Sequence, residues 1–160
     1  MQNIHATAAD AELTLRLYDL RRESEMRKAR DWFAGQFWPT TFAELEQTAM
    51  NFGSPQSRWF GQVLSYWDMA AALVVRGALN PGLFLDTCHE AWFAYAKLRP
   101  FIAEGRAKFS PEFLANLEKA IESTPEGRER LRRTEENITR FRTLVQQSAK
   151  QQSNAAAEAA

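Results

Sequence analysis

The stretch "WFGQVLSYWDMAAALVV", Trp59–Val75, decides the fold. Between Arg58 and Arg76 its only charge is Asp68. Apolar side chains fall on nearly every side at helical spacing, and a helix of that kind is usually buried in the middle of a bundle. Its ends are marked as well. Ser54 offers a side-chain oxygen to the free N–H groups of a first turn, and Pro55 suits the first helical position. Gly77 suits the left-handed turn that closes a helix. The sequence therefore predicts a central helix over about 55–76.

The same punctuation recurs outward from it. Asn80-Pro81, Ser110-Pro111 and Thr124-Pro125 repeat the cap-then-proline pattern, Pro39 sits near another start, and Thr41 with Glu44 fits a capping box. No segment alternates like a strand, and Asn-Gly and Asp-Gly are absent. Helices are expected over 8–37, 42–52, 55–76, 81–105 with a bend at Pro100, 111–122 and 125–149. The fold class is all-α, a single bundle of five or six helices filling residues 1–149. The remaining "KQQSNAAAEAA", 150–160, has no apolar stripe and is read as a frayed or disordered tail.

With 160 residues the chain is long enough for one domain with a sizeable core. Acidic and basic residues balance to a formal charge of zero, which disfavours nucleic acid as a general partner. A single cysteine, Cys88, allows no intramolecular disulfide. The N-terminus lacks a secretory signal pattern, and the longest apolar run, Met69–Val75, is far short of the roughly 20 residues that span a bilayer. A cytoplasmic protein without a transmembrane segment is expected.

Three Trp-Phe pairs, at Trp32, Trp59 and Trp92, each lie in or near the start of an expected helix beside other apolar residues. Adjacent helical residues point about 100° apart, so each pair covers a broad face, and core packing is the expectation. Trp38, next to Pro39, and Trp59 are the aromatics best placed for a partner surface. The last helix carries a heptad-like stripe, Leu131, Thr134, Ile138, Phe141 and Val145, which fits either its own bundle or a second copy.

Chemistry-bearing groups are few. "DTCHE", Asp86–Glu90, puts an acid, a thiol and an imidazole together, but Cys88 and His89 diverge as helical neighbours. Asp86 and His89 share a face, yet the only other histidine is His5, so no two-histidine metal site is expected. Asp68 on its apolar helix needs a partner, with Arg16, Arg22, Arg99 and Arg106 as candidates; either a buried ion pair or a ligand-binding acid is the expectation. Tyr66, Asp68 and Glu90 are set down as possible walls of one polar cavity, with Arg76, Asp86, His89 and Arg99 as further members. The Arg-rich runs at 21–30 and 128–142 interleave acids and read as solvated helix faces.

"SYWDMAAALVVRGALNPGLF" followed by "YAKLRPFIAEGR" resembles a family of small bacterial all-helical proteins, a domain family of unknown function. The residues that carry it are Tyr66, Trp67, Asp68, Arg76, Gly77, Leu98, Arg99, Pro100, Phe101, Ile102 and Arg106. The resemblance implies a helical fold and a bacterial source, and brings no activity. The function expected from the residues is a non-enzymatic interaction or regulatory module, partnering another protein or itself, with no catalytic residue, metal or cofactor. The alternatives are a small ligand binder or enzyme using Asp68 or Glu90, and an RNA-binding helical module.

Overall fold

The computed structural model describes residues 5–158, with side chains through Leu144 and at Gln147. Its helices are α1 (Ala8–Arg21), α2 (Ser24–Gly35), α3 (Phe42–Met50), α4 (Pro55–Val75), α5 (Pro81–Thr87), α6 (His89–Leu98), α7 (Ile102–Lys108), α8 (Ala115–Glu122) and α9 (Pro125–Glu158). A 3₁₀ turn, Arg99–Phe101, joins α6 to α7. The all-α expectation holds, and no strand occurs among the described residues. No helix among them is long and apolar enough to cross a membrane.

α4 organises the bundle. Phe60, Val63, Leu64, Tyr66, Trp67, Ala70, Ala71 and Val74 are buried against α2, α3, α6 and α8. Ala70 and Ala71 let neighbouring backbones come close, and Trp67 fills the space beside them. One strip of α4, through Gly61, Ser65 and Met69, nevertheless faces outward, so the helix is a wall of the core rather than enclosed on every side. One cluster of buried side chains runs from Leu17 to Ile138.

Local capping explains the boundaries. The side chains of Ser54, Asn80 and Thr124 accept from Ser57 N (3.1 Å), Leu83 N (3.1 Å) and Gly127 N (3.0 Å). Thr41 accepts from Glu44 N at 3.3 Å, while the Glu44 carboxylate reaches back to Thr40 N at 2.7 Å, one residue before the position a capping box requires. Gly77 closes α4 with φ 75°.

Four boundaries depart from expectation. The helix expected over 8–37 is two helices, because Glu23 turns the chain (φ −57°, ψ 143°) and its carboxylate accepts Glu25 N at 2.9 Å and Met26 N at 3.0 Å. Those two amides, Met26 foremost, hold the Glu23 carboxyl below its usual range. The helix expected over 81–105 breaks at Cys88 (φ −109°, ψ 48°) as well as near Pro100. Pro111 opens a turn rather than a helix: Ser110 Oγ accepts from Glu112 N (3.2 Å), and α8 starts only after Leu114, whose φ is 53°. Finally, α9 continues to Glu158, beyond the end near Ala149. The Ala, Gln, Lys and Glu that dominate that segment are strong helix formers. Ala159 and Ala160 of the expected tail lie outside the described residues.

The Trp-Phe pairs are core. Trp32, Phe33, Phe60 and Trp92 are buried, and Trp59 and Phe93 pack partly buried against the same cluster.

Candidate functional site

Asp68 caps a helix. Its Oδ1 accepts from Asn116 N (3.1 Å) and Leu117 N (3.0 Å), and its Oδ2 from Asn116 Nδ2 (2.8 Å). The α8 start has no side-chain cap of its own, since Leu114 occupies that position. A carboxylate from α4 thus satisfies free N–H groups and faces the positive end of the helix dipole. None of Arg16, Arg22, Arg99 or Arg106 pairs with it. Of the two roles expected for Asp68, the ion pair gives way to a charge-to-helix-terminus contact.

Glu90 sits between two arginines. Arg30 Nε lies 3.0 Å from both of its oxygens and Arg30 Nη2 2.7 Å from Oε2, while Arg21 Nη1 is 3.4 Å away. Arg30 Nη1 also donates to the Arg21 carbonyl at 3.0 Å, closing the end of α1. Tyr66 donates from Oη to the Leu17 carbonyl at 2.5 Å. Burial pushes the Tyr66 phenol up, opposed by the positive charge of Arg21. The buried Cys88 thiol is likewise pushed up, so it stays protonated rather than acting as a nucleophile. Tyr66 and Glu90 therefore do share a cluster, and Asp68 is not in it.

The other candidates scatter. Arg99 pairs with Glu122 (3.1 Å) and Glu135 (2.9 Å), and Tyr95 Oη donates to Glu122 at 2.6 Å, which ties α6 to α8 and α9. His89 is exposed, with Nδ1 2.7 Å from Arg130 Nη1, a guanidinium that also donates to the Leu85 carbonyl. A guanidinium only donates, so Nδ1 accepts and the ring proton belongs on Nε2. Asp86 and Arg76 are exposed. Among the described residues no group of His, Cys, Asp and Glu is arranged to hold a metal ion.

Of the partner-surface candidates, Leu131 and Ile138 are buried in the chain's own core, so that part of the stripe packs internally. Phe141 stacks at 5.2 Å on Trp38 while remaining about half exposed, at 48%. Trp38 is partly buried against the core, and Trp59 packs on Trp32 at 6.0 Å. The Val145 side chain lies outside those described.

The least expected group is Lys97. It is fully buried, with 0% exposure. Its ammonium donates to the Phe33 carbonyl near the end of α2 and lies 3.7 Å from the ring centre of Trp38 and 4.7 Å from that of Phe33, with Phe93 and Phe37 at 5.2 and 5.7 Å. Burial brings its pKa down to about 7, and the charge of Arg142 adds to the shift. Sequence reasoning passed over Lys97, although the signal is the one that singled out Asp68. In "AWFAYAKL" it is a lone charge on a helix that is apolar nearly all round. Arg30, Glu122 and Arg142 were also missed, because nothing local marks which solvated-looking charge turns inward.

A family described as a domain of unknown function (DUF4760) matches residues 6–124. No curated protein and no solved structure matches the chain.

Proposed function

The chain belongs to that family of unknown function, and we propose that it works as a non-enzymatic helical interaction module that associates with a second copy of itself. The observation that carries this reading is a knob beside its own hole. Phe52, in the turn between α3 and α4, is 77% exposed. It forms part of the rim of an apolar groove of about 520 Å³, whose other walls include Phe60, Leu64, Phe109 and Phe113. A protruding ring beside a groove of matching chemistry is self-complementary. Two copies related by a two-fold axis exchange Phe52 side chains, each filling the other's groove. Exposed Met50 extends the same patch.

The fate of the charged residues supports the non-enzymatic part. Asp68, Glu90, Arg99 and Lys97 all hold helix ends or neighbouring helices together. The Arg-rich first half of α9 pairs with acids on the same helix, Arg132 and Arg133 with Glu129, which disfavours an RNA-binding face. The setting we assign is the bacterial cytoplasm, in keeping with the single, buried thiol.

Sedimentation of the wild type and of Phe52→Asp over a concentration series tests the reading. A concentration-dependent dimer is expected, and the substitution abolishes it without changing the helical signal. A wild type that stays monomeric at the highest concentration reached overturns the proposal, as does a dimer indifferent to Phe52→Asp.

A further inference from the structure

Where α5, α6, α8 and the start of α9 meet, they leave a cavity of about 270 Å³. Its lining includes Phe84, Leu85, Trp92, Ala120, Thr124 and Glu126. Phe84 and Trp92 are buried and make the floor, with ring centres 5.4 Å apart and planes tilted by 41°. Trp92 Nε1 already donates to the Gly127 carbonyl at 3.1 Å, which fixes that ring in place. The floor therefore offers a ligand aromatic surface rather than hydrogen bonds. The volume falls just under the roughly 300 Å³ at which pockets for drug-sized ligands begin, so the cavity suits a single ring.

The polar part of the lining is acidic and unmatched. Among the described residues the Glu126 carboxylate has no hydrogen bond or ion pair. The acids on either side are matched, Glu122 with Arg99 at 3.1 Å and Glu129 with Arg132 at 2.8 Å. Arg130, four residues on, is the natural helix partner for Glu126. It is committed elsewhere: its guanidinium donates to the Leu85 carbonyl, lies 2.7 Å from His89 Nδ1 and sits 5.3 Å from the centre of the Trp92 ring. Arg130 is not part of the lining, so the charge that the cavity presents is negative. Thr124 Oγ accepts from Gly127 N at 3.0 Å and has a second lone pair to offer.

We propose that this cavity binds a small aromatic primary amine, its ring on the Phe84–Trp92 floor and its ammonium on Glu126. The ammonium donates to the Glu126 carboxylate and to Thr124 Oγ, and its third N–H stays with water. A cation at this place is also attracted to the two ring faces. An acid of the same shape meets Glu126 as a like charge, and a neutral ring gains the floor alone. The cavity shares no lining residue with the groove beside Phe52, so this proposal and the dimer stand or fall separately.

The test titrates the full chain at neutral pH with phenethylamine, and with phenethyl alcohol and phenylacetate as neutral and anionic probes carrying the same ring. Proton NMR follows the Trp92 indole N–H, which reports on the floor. A saturable shift is expected, with the amine binding more tightly than the alcohol and the alcohol more tightly than the acid. That comparison needs no variant. Glu126→Gln changes an exposed side chain and is expected to weaken the amine about fivefold while leaving the alcohol unchanged. An amine that binds Glu126→Gln within about twofold of wild type overturns the proposal. So does an acid that binds as tightly as the amine, and so does a Trp92 resonance that stays in place throughout the titrations.

Discussion

Replacing Asp68 separates a helix cap from a ligand-binding acid. Two backbone amides of α8, at 3.1 and 3.0 Å, share one Asp68 oxygen, and the Asn116 amide holds the other at 2.8 Å. Asp68→Ala leaves both backbone donors without their acceptor in a partly buried place. Taking about 1–1.5 kcal/mol for each, the lower part of the usual range because water reaches the edge of this site, the substitution costs about 2–3 kcal/mol. Asp68→Asn keeps an oxygen for the two backbone amides, and Asn116 can turn its own amide to accept from the new one. What remains lost is the full charge at the helix N-terminus, about 1 kcal/mol. Urea unfolding measures both values, and amide exchange at Asn116 and Leu117 locates them. Equal losses for the two variants, or an alanine variant within about 0.5 kcal/mol of wild type, refute the capping argument.

Three further perturbations test the charge and packing arguments. The folded-state pKa of Lys97, about 7, lies below its ordinary 10.5, so between those values the unfolded chain holds more protons and stability rises with pH. The wild type is expected to gain about 2 kcal/mol from pH 7 to pH 9, and Lys97→Met to lose that rise; equal slopes in calorimetry contradict the burial argument. A Cβ on Gly127 falls 2.1 Å from the Ile121 carbonyl oxygen, so Gly127→Ala must shift the α8–α9 link. Thermal melts should show a loss of about 2 kcal/mol. Glu90→Ala strands Arg21 and Arg30, each partly buried, and is expected to cost about 2–3 kcal/mol, with a smaller loss in the Arg30→Ala background that reveals the coupling.

What the sequence disclosed was local. Ser54, Asn80 and Thr124 cap helices three residues ahead, a relation readable along the chain, and so the starts of α4, α5 and α9 were legible. The break at Glu23 was not, because glutamate is an uncommon cap and the charges on either side look like a solvated helix. Asp68 announced itself as a charge on an apolar helix, but its partner lies 48 residues away on a helix start that exists only once α4 is packed beside it. The same distance problem hid the outcome for the stripe of α9. Leu131 and Ile138 have spacing suited to any apolar neighbour, and spacing does not say which molecule supplies it. Phe52 raised no signal, because the sequence pattern makes it the last residue of a helix over 42–52, whereas that helix ends at Met50 and leaves the ring in a turn.

α1 fastens to the rest of the protein by few points. Leu17 is its one buried side chain, while Leu15, Tyr18 and Leu20 face outward. Its polar ties include Tyr66 to the Leu17 carbonyl, Asp10 to Asn80 N at 2.7 Å, Arg30 to the Arg21 carbonyl and the Arg21–Glu90 contact, and Leu13 packs partly buried on the core. So small an apolar contribution makes α1 a unit able to open by itself, well before the whole chain unfolds. Brief trypsin treatment of the folded protein should then cut first at Arg16, Arg21 or Arg22. The released segment would leave behind a truncated protein whose Tyr66 hydroxyl and Glu90 carboxylate are newly wet.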